Sequence, residues 1–193
     1  MVIDITQELF SCHVYPGDPA PQKQTLNSMA QGGLYNLTAF FMCAHNGTHI
    51  DAPAHFLADG RTVEQLPPEV FVGDCYVARH DGDVTAGVLA DILAKARAAG
   101  AAQRILVAGS ATLTAEAARL LAGTEVLLYG NESQSVGPED APMEVHKILL
   151  GADKVLLEGV VLTAVEEGKY FLSAAPLNLG GCEGAPCRAV LVR

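Results

Sequence analysis

The chain has 193 residues, half of them hydrophobic, which is enough for one domain with a substantial core. A formal net charge of -10 argues against DNA, RNA or an anionic membrane as partner and leaves small molecules or other proteins. No apolar run approaches the ~18 residues needed to span a bilayer, and MVIDITQELF carries acids where a signal peptide carries Lys or Arg, so a cytoplasmic protein is expected.

Residues 1–10 alternate loosely and predict a first strand or two, followed by a rigid loop at Tyr15-Pro16-Gly17-Asp18-Pro19. The polar stretch Gln22 to Gly33 reads as a connection. Leu34 to Cys43 is rich in aromatic, aliphatic and β-branched residues and predicts a strand, with Phe40, Phe41 and Met42 assigned to the core.

Next comes His45 to Phe56, HNGTHIDAPAHF, which concentrates three of the six histidines and an aspartate in twelve residues. His45, His49, Asp51 and His55 are spaced four, two and four apart, so a strand would place them on one face. Ten extended residues would span roughly 33 Å, too far for one site, and the chain must turn. Asn46-Gly47 supplies the turn, while Gly47, Thr48, Ile50 and Pro53 oppose a helix. Imidazole nitrogens and a carboxylate suit zinc, manganese or iron(II), and three protein ligands with open positions is the pattern of a catalytic metal site.

Beyond the break at Leu66-Pro67-Pro68, Val70 to Ala78 predicts a strand with a bulge at Gly73. His13 and His80 have no partner at metal spacing and read as structural or exposed. Gly87 to Gly100 has helical spacing and a glycine stop. Strand Arg104 to Ala108, helix Thr114 to Leu121 and strand Glu125 to Tyr129 continue an alternation that predicts an α/β fold with partly parallel strands. The loop Gly130 to Pro142 is long for a connection and follows a strand's carboxyl end, where such sheets place ligands. Helix Met143 to Leu150 carries His146, and strand Lys154 to Leu157 leads into Glu158; their spacing alone marks neither as functional. The tail supplies an apolar strand, a Gly-rich loop and a last strand, Ala189 to Val192. The five cysteines are odd in number and lack a CxxC pair, so no disulfide framework is expected, and Cys43 and Cys182 are the two placed to line a pocket.

HNGTHIDAPAHF fits the signature His-x-Gly-Thr-His-x-Asp-x-Pro-x-His-Phe at every specified position. The chain thereby resembles the cyclase-like metal-dependent hydrolases, a family that includes bacterial kynurenine formamidases and isatin hydrolases. Tyr15-Pro16-Gly17-Asp18, Leu157-Glu158-Gly159 and Pro176 to Leu191 resemble further family segments. The resemblance implies one domain over residues 1–193, with a mixed sheet or small β-barrel core and flanking helices, a swivelling β/β/α arrangement. It implies a first metal on His45, His49 and Asp51, a second on Asp51, His146 and Glu158, and His55 as general acid/base. Zinc is the expected ion, one or two per chain, with manganese the alternative.

The implied activity is hydrolysis of a carbon-nitrogen bond in a small formamide or cyclic amide, such as N-formylkynurenine in tryptophan breakdown. A lactonase or cyclase-type enzyme, or a metal-binding relative without turnover, are the other readings. The family's habit implies a homodimer or tetramer. Two departures bear on specificity. Tyr15, the expected substrate contact, stands where formamidases carry Trp, and Gly130-Asn131-Glu132-Ser133-Gln134-Ser135-Val136 stands where they read Gly-Ile-Asp-Thr-Pro-Ser-Val.

Overall fold

Two-residue periodicity builds the central layer. The structure is a computed structural model describing residues 1–193. Its first elements are β1 (Val2–Asp4), β2 (Gln22–Asn27), β3 (Leu37–Phe41), β4 (His49–Asp51), β5 (Val72–Arg79) and β6 (Gly82–Val84). Next come α1 (Ala86–Ala98), β7 (Arg104–Ala108), β8 (Ala111–Leu113), α2 (Ala115–Ala122) and β9 (Leu128–Asn131). The chain ends with α3 (Met143–Gly151), β10 (Val155–Glu158), β11 (Gly168–Ser173), β12 (Gly184–Pro186) and β13 (Val190–Val192).

Nine strands form one mixed sheet, ordered β1-β13-β11-β5-β7-β9-β10-β4-β12, which curls into a half-barrel. β5, β7, β9 and β10 run parallel to their neighbours in that group, and the remaining pairings are antiparallel. The parallel strands are joined through α1, α2 and α3, as the alternation of strand and helix predicts. The expected α/β fold with a mixed, curled sheet and flanking helices is the one observed.

Successive residues of a strand face opposite ways, so each central strand serves two cores. Cys75, Val77, Leu106, Leu157 and Leu172 point into one cluster, with Val70, Phe71 and Leu162 from the loops. Tyr76, Ala78, Ile105, Val107 and Leu156 point into the other, where Leu89, Leu93, Leu121, Val145 and Leu149 of the three helices cover the sheet. Thr85 and Thr114 start α1 and α2 by accepting hydrogen bonds from the Val88 and Ala117 amides. No helix is long and apolar enough to cross a membrane.

Several expectations need correction. Gln22–Asn27 is a strand rather than a connection; it pairs with β3 in a separate antiparallel ribbon, and its polar, exposed side chains hide it from a hydrophobicity pattern. Phe40 and Phe41 are not core residues, being 58% and 57% exposed, because the ribbon stands off the main sheet. The register of β5 against β11 is unbroken, so Gly73 makes no bulge. Its φ of 143° and the Arg104 guanidinium packed against its α-carbon account for the glycine instead. β9 begins three residues later than the expected Glu125.

Candidate metal centre

The site grows from β4 and its two neighbours. Gly47, at φ 67°, completes the turn that the Cys43 amide steadies by donating to Asn46 Oδ1 (2.9 Å). The chain then enters β4, where His49 and Asp51 share one face while Ile50 points into the core. β10 lies antiparallel beside it and sets Glu158 directly opposite His49. α3 brings His146 from above the sheet, its Nε2 3.2 Å from Glu158 Oε1.

Two groups of donor atoms result: His45, His49 and Asp51, and Asp51, His146 and Glu158. In the first, Asp51 Oδ1 is 2.8 Å from His45 Nδ1 and 3.3 Å from His49 Nε2. In the second, Asp51 Oδ2 is 3.6 Å from His146 Nε2. Asp51 therefore faces both groups, one oxygen to each. Glu158 also reaches both, since its Oε2 is 3.5 Å from His49 Nε2.

The donor set fits a divalent cation. Asp51 Oδ2 is fully buried and has no hydrogen-bond partner, although a buried carboxylate oxygen left alone costs several kcal/mol by the order-of-magnitude penalties for buried charge. Each ring nitrogen turned away from the groups has an acceptor of its own. His49 Nδ1 meets the Gly47 carbonyl at 2.9 Å, His146 Nδ1 the Pro142 carbonyl at 2.8 Å, and His45 Nε2 the Glu183 carboxylate at 3.2 Å. Such outer partners orient imidazole ligands toward a metal.

The electrostatics separate the four imidazoles. Burial opposes a positive ring at His45, His49 and His146, yet carboxylates outweigh it: Asp51 and Glu183 at His45, Asp51 and Glu158 at the other two. The pKa of His45 is raised, that of His49 well above the ordinary range, and that of His146 up to about 10. Burial also opposes the Asp51 carboxylate, but the His146, His45 and His49 rings around it hold it well below the usual range. The two carboxylates thus draw positive charge into a buried pocket.

His55 belongs to neither group. Pro53 opens the single helical turn that carries it, and its ring lies 4.1 Å from that of His45 and 6.0 Å from that of His146, centre to centre. Burial lowers its pKa; Asp51 pulls upward, and the neighbouring rings add to the lowering. Phe56 packs edge-on against it at 4.5 Å.

A cavity of about 190 Å³ opens over these residues, lined also by Tyr15, Asp18, Gln134, Ser135 and Pro142. Tyr15 donates its hydroxyl to the Glu139 carbonyl at 2.6 Å. Gln134 and Ser135 escaped individual notice in the sequence, although they belong to the loop that its length marks out. Their Oε1 and Oγ are buried without partners. Glu183 carried no signal at all in the sequence beyond its place in a Gly-rich loop. Cys43 and Cys182 are partly buried free thiols and lie outside the cavity lining, as do His13 and His80.

Comparison with known proteins identifies the family and the fold. The Cyclase family model matches residues 3–138. The kynurenine formamidase of Paracidovorax citrulli (strain AAC00-1) is 32% identical over 196 residues, covering 92% of this chain and 89% of its own. A structure described as a potential metal-dependent hydrolase with cyclase activity is 27% identical, with a TM-score of 0.83 over 99% of this chain and 96% of its own. Isatin hydrolase A from Labrenzia aggregata, at 22% identity, shares the fold with a TM-score of 0.82 over 100% and 93% of the two chains. With the signature in β4 and its flanking turns, and a match across most of its length, the chain belongs to the Cyclase family.

Proposed function

We propose that this protein is a metal-dependent hydrolase of a carbon-nitrogen bond, acting on a small aryl formamide such as N-formylkynurenine or on a related cyclic amide. The carrying observation is Asp51: a fully buried carboxylate with one oxygen toward each of two ligand groups, beside a cavity and an uncommitted histidine. A divalent cation held by His45, His49 and Asp51, with a second on Asp51, His146 and Glu158, supplies Lewis acidity and lowers the pKa of water from 15.7 to about 7. Zinc is the ion this donor set favours in our reading, and manganese accepts the same donors.

The chain's own groups do the rest. His55 lines the cavity, touches both ligand groups through its neighbours and has no carboxylate partner. It takes a proton from water on attack and returns it to the leaving nitrogen, steps suited to an imidazole at neutral pH. Phe56, Tyr15 and Pro142 give the wall an apolar character that accommodates an aryl ring.

Gln134 and Ser135 line the cavity, but their unpaired oxygens are buried away from it. Gln134 commits its Nε2 to the Gly47 carbonyl at 3.2 Å, which leaves Oε1 as an acceptor with no protein donor. Ser135 Oγ is likewise buried without a partner. The kinship with a kynurenine formamidase supports an amide over a lactone as the bond cleaved.

The test is hydrolysis of N-formylkynurenine, and of a matched formanilide and lactone, by protein stripped of metal and reloaded separately with zinc and manganese. Metal-restored turnover of the formyl compounds over the lactone is expected. Preference for the lactone would reassign the bond, and tight metal binding without turnover of any of the three would reject the aryl-formamide reading.

A further inference from the structure

β12 does more than extend the sheet edge. It pairs antiparallel with β4 in a register that sets Gly184 opposite Asp51. The preceding residue, Glu183, is pinned at its backbone: its carbonyl accepts the Ala52 amide at 2.8 Å, and the Cys182 carbonyl accepts the Val63 amide at 2.9 Å. The side chain of Glu183 then leaves a fixed backbone and brings Oε1 to 3.2 Å from His45 Nε2.

His45 is confined on its other sides as well. A β-carbon at Gly184 would stand 2.7 Å from His45 Cε1, so the absence of a side chain there is what lets the ring approach. His55 lies across the ring, with centroids 4.1 Å apart and planes 30° apart. His45 differs from His49 and His146 in turning Nδ1 rather than Nε2 toward the donor group, and in its outer partner. Their outer nitrogens meet neutral backbone carbonyls, whereas that of His45 meets a carboxylate.

We infer that Glu183 is the positioning residue of the first metal group, holding His45 in the tautomer that carries its proton on Nε2 and turns the Nδ1 lone pair toward Asp51 and His49. This rests on the metal reading above. Two tautomers of a neutral imidazole are close in energy, and the one with the proton on Nδ1 would have no lone pair to offer at that nitrogen. A carboxylate accepting from Nε2–H selects the useful tautomer, fixes the ring plane and makes the ligating nitrogen more basic, for which removal of such a partner typically costs 10–100-fold in metal affinity. Glu183 itself neither faces the cavity nor lies in either donor group.

Glu183 is 45% exposed at its side chain, so its replacement leaves the core untouched. The experiment measures zinc affinity of the full chain by competition with a chromogenic chelator, for the wild type, Glu183→Ala and Glu183→Gln, together with the visible spectrum of the cobalt(II)-loaded forms. Glu183→Ala is expected to bind zinc about 10–100-fold more weakly and to shift the cobalt bands. Glu183→Gln keeps an acceptor without the charge and is expected to recover the wild-type band positions with intermediate affinity. Wild-type affinity and spectrum in Glu183→Ala would overturn the inference while leaving the metal reading intact. A wild-type protein that takes up no zinc would overturn both. Neither readout uses substrate, so both are independent of which bond the enzyme cleaves.

Discussion

His55 differs from the three histidines around it in what holds its ring. His45, His49 and His146 each face Asp51, and two of them face Glu158 as well. His55 touches only other rings. Groups whose surroundings drive their pKa values apart take different tasks, and in the proposed mechanism His55 is the group that transfers the proton. His55→Ala should therefore keep its metal and lose roughly 10²–10⁴-fold in turnover. Asp51→Ala should lose metal from both groups and activity with it. Metal content and turnover measured on the same preparations check both, and an active, metal-free Asp51→Ala would refute the assignment.

At the scale of elements, burial sorts apolar residues that look alike in sequence. Leu106 on β7 is fully buried between β5 and β9, and Leu106→Ala should cost about 2–5 kcal/mol through lost contacts and a residual cavity. Phe40 and Phe41 sit on the β2–β3 ribbon and are more than half exposed. Phe40→Ser or Phe41→Ser should change stability by no more than about 0.5 kcal/mol. Urea denaturation of the three variants gives the comparison, and a Phe40→Ser protein as unstable as Leu106→Ala would contradict the packing. The same logic explains β4: three residues suffice for a strand because β10 and β12 pair with it on either side.

Over the whole molecule, charge and metal couple to folding. Arg97 on α1 holds Glu125 through two hydrogen bonds of 2.7 and 2.9 Å, which press the Glu125 pKa down to about 2. A folded pKa below the unfolded value of 4.5 means the pair stabilises above pH 4.5 and stops doing so as pH falls toward about 2. Both side chains are about half exposed, so the pair contributes less than ~1 kcal/mol. The stability gap between wild type and Glu125→Gln should shrink across that window, as urea midpoints at pH 7 and pH 2.5 would show. Metal acts more strongly because only the folded chain assembles His45, His49, Asp51, His146 and Glu158. Zinc at a thousandfold excess over its Kd should add about 4 kcal/mol, roughly 8–16 °C in Tm. Asp51→Asn should show little of that shift in the same scan.

The local part of the site was legible in the chain itself. The even spacing of His45, His49, Asp51 and His55, with Asn46-Gly47 between, named four residues and the turn that gathers them. The strand-helix alternation from Val70 to Leu157 likewise named the α/β layers, because periodicity is a local property of sequence. His146 and Glu158 became candidates only through resemblance, since a helical histidine and a strand-end glutamate carry no pattern of their own. The exposed β2–β3 ribbon was misread at Gln22–Asn27 and at Phe40 and Phe41 because polarity reports burial only when the element lies on the core. Glu183 was beyond any pattern, and Gln134 and Ser135 were marked only as members of the long Gly130–Pro142 loop. They reach the site from positions 80 or more residues beyond His45, and their neighbours are chosen by sheet pairing and loop closure, which a linear spacing does not contain.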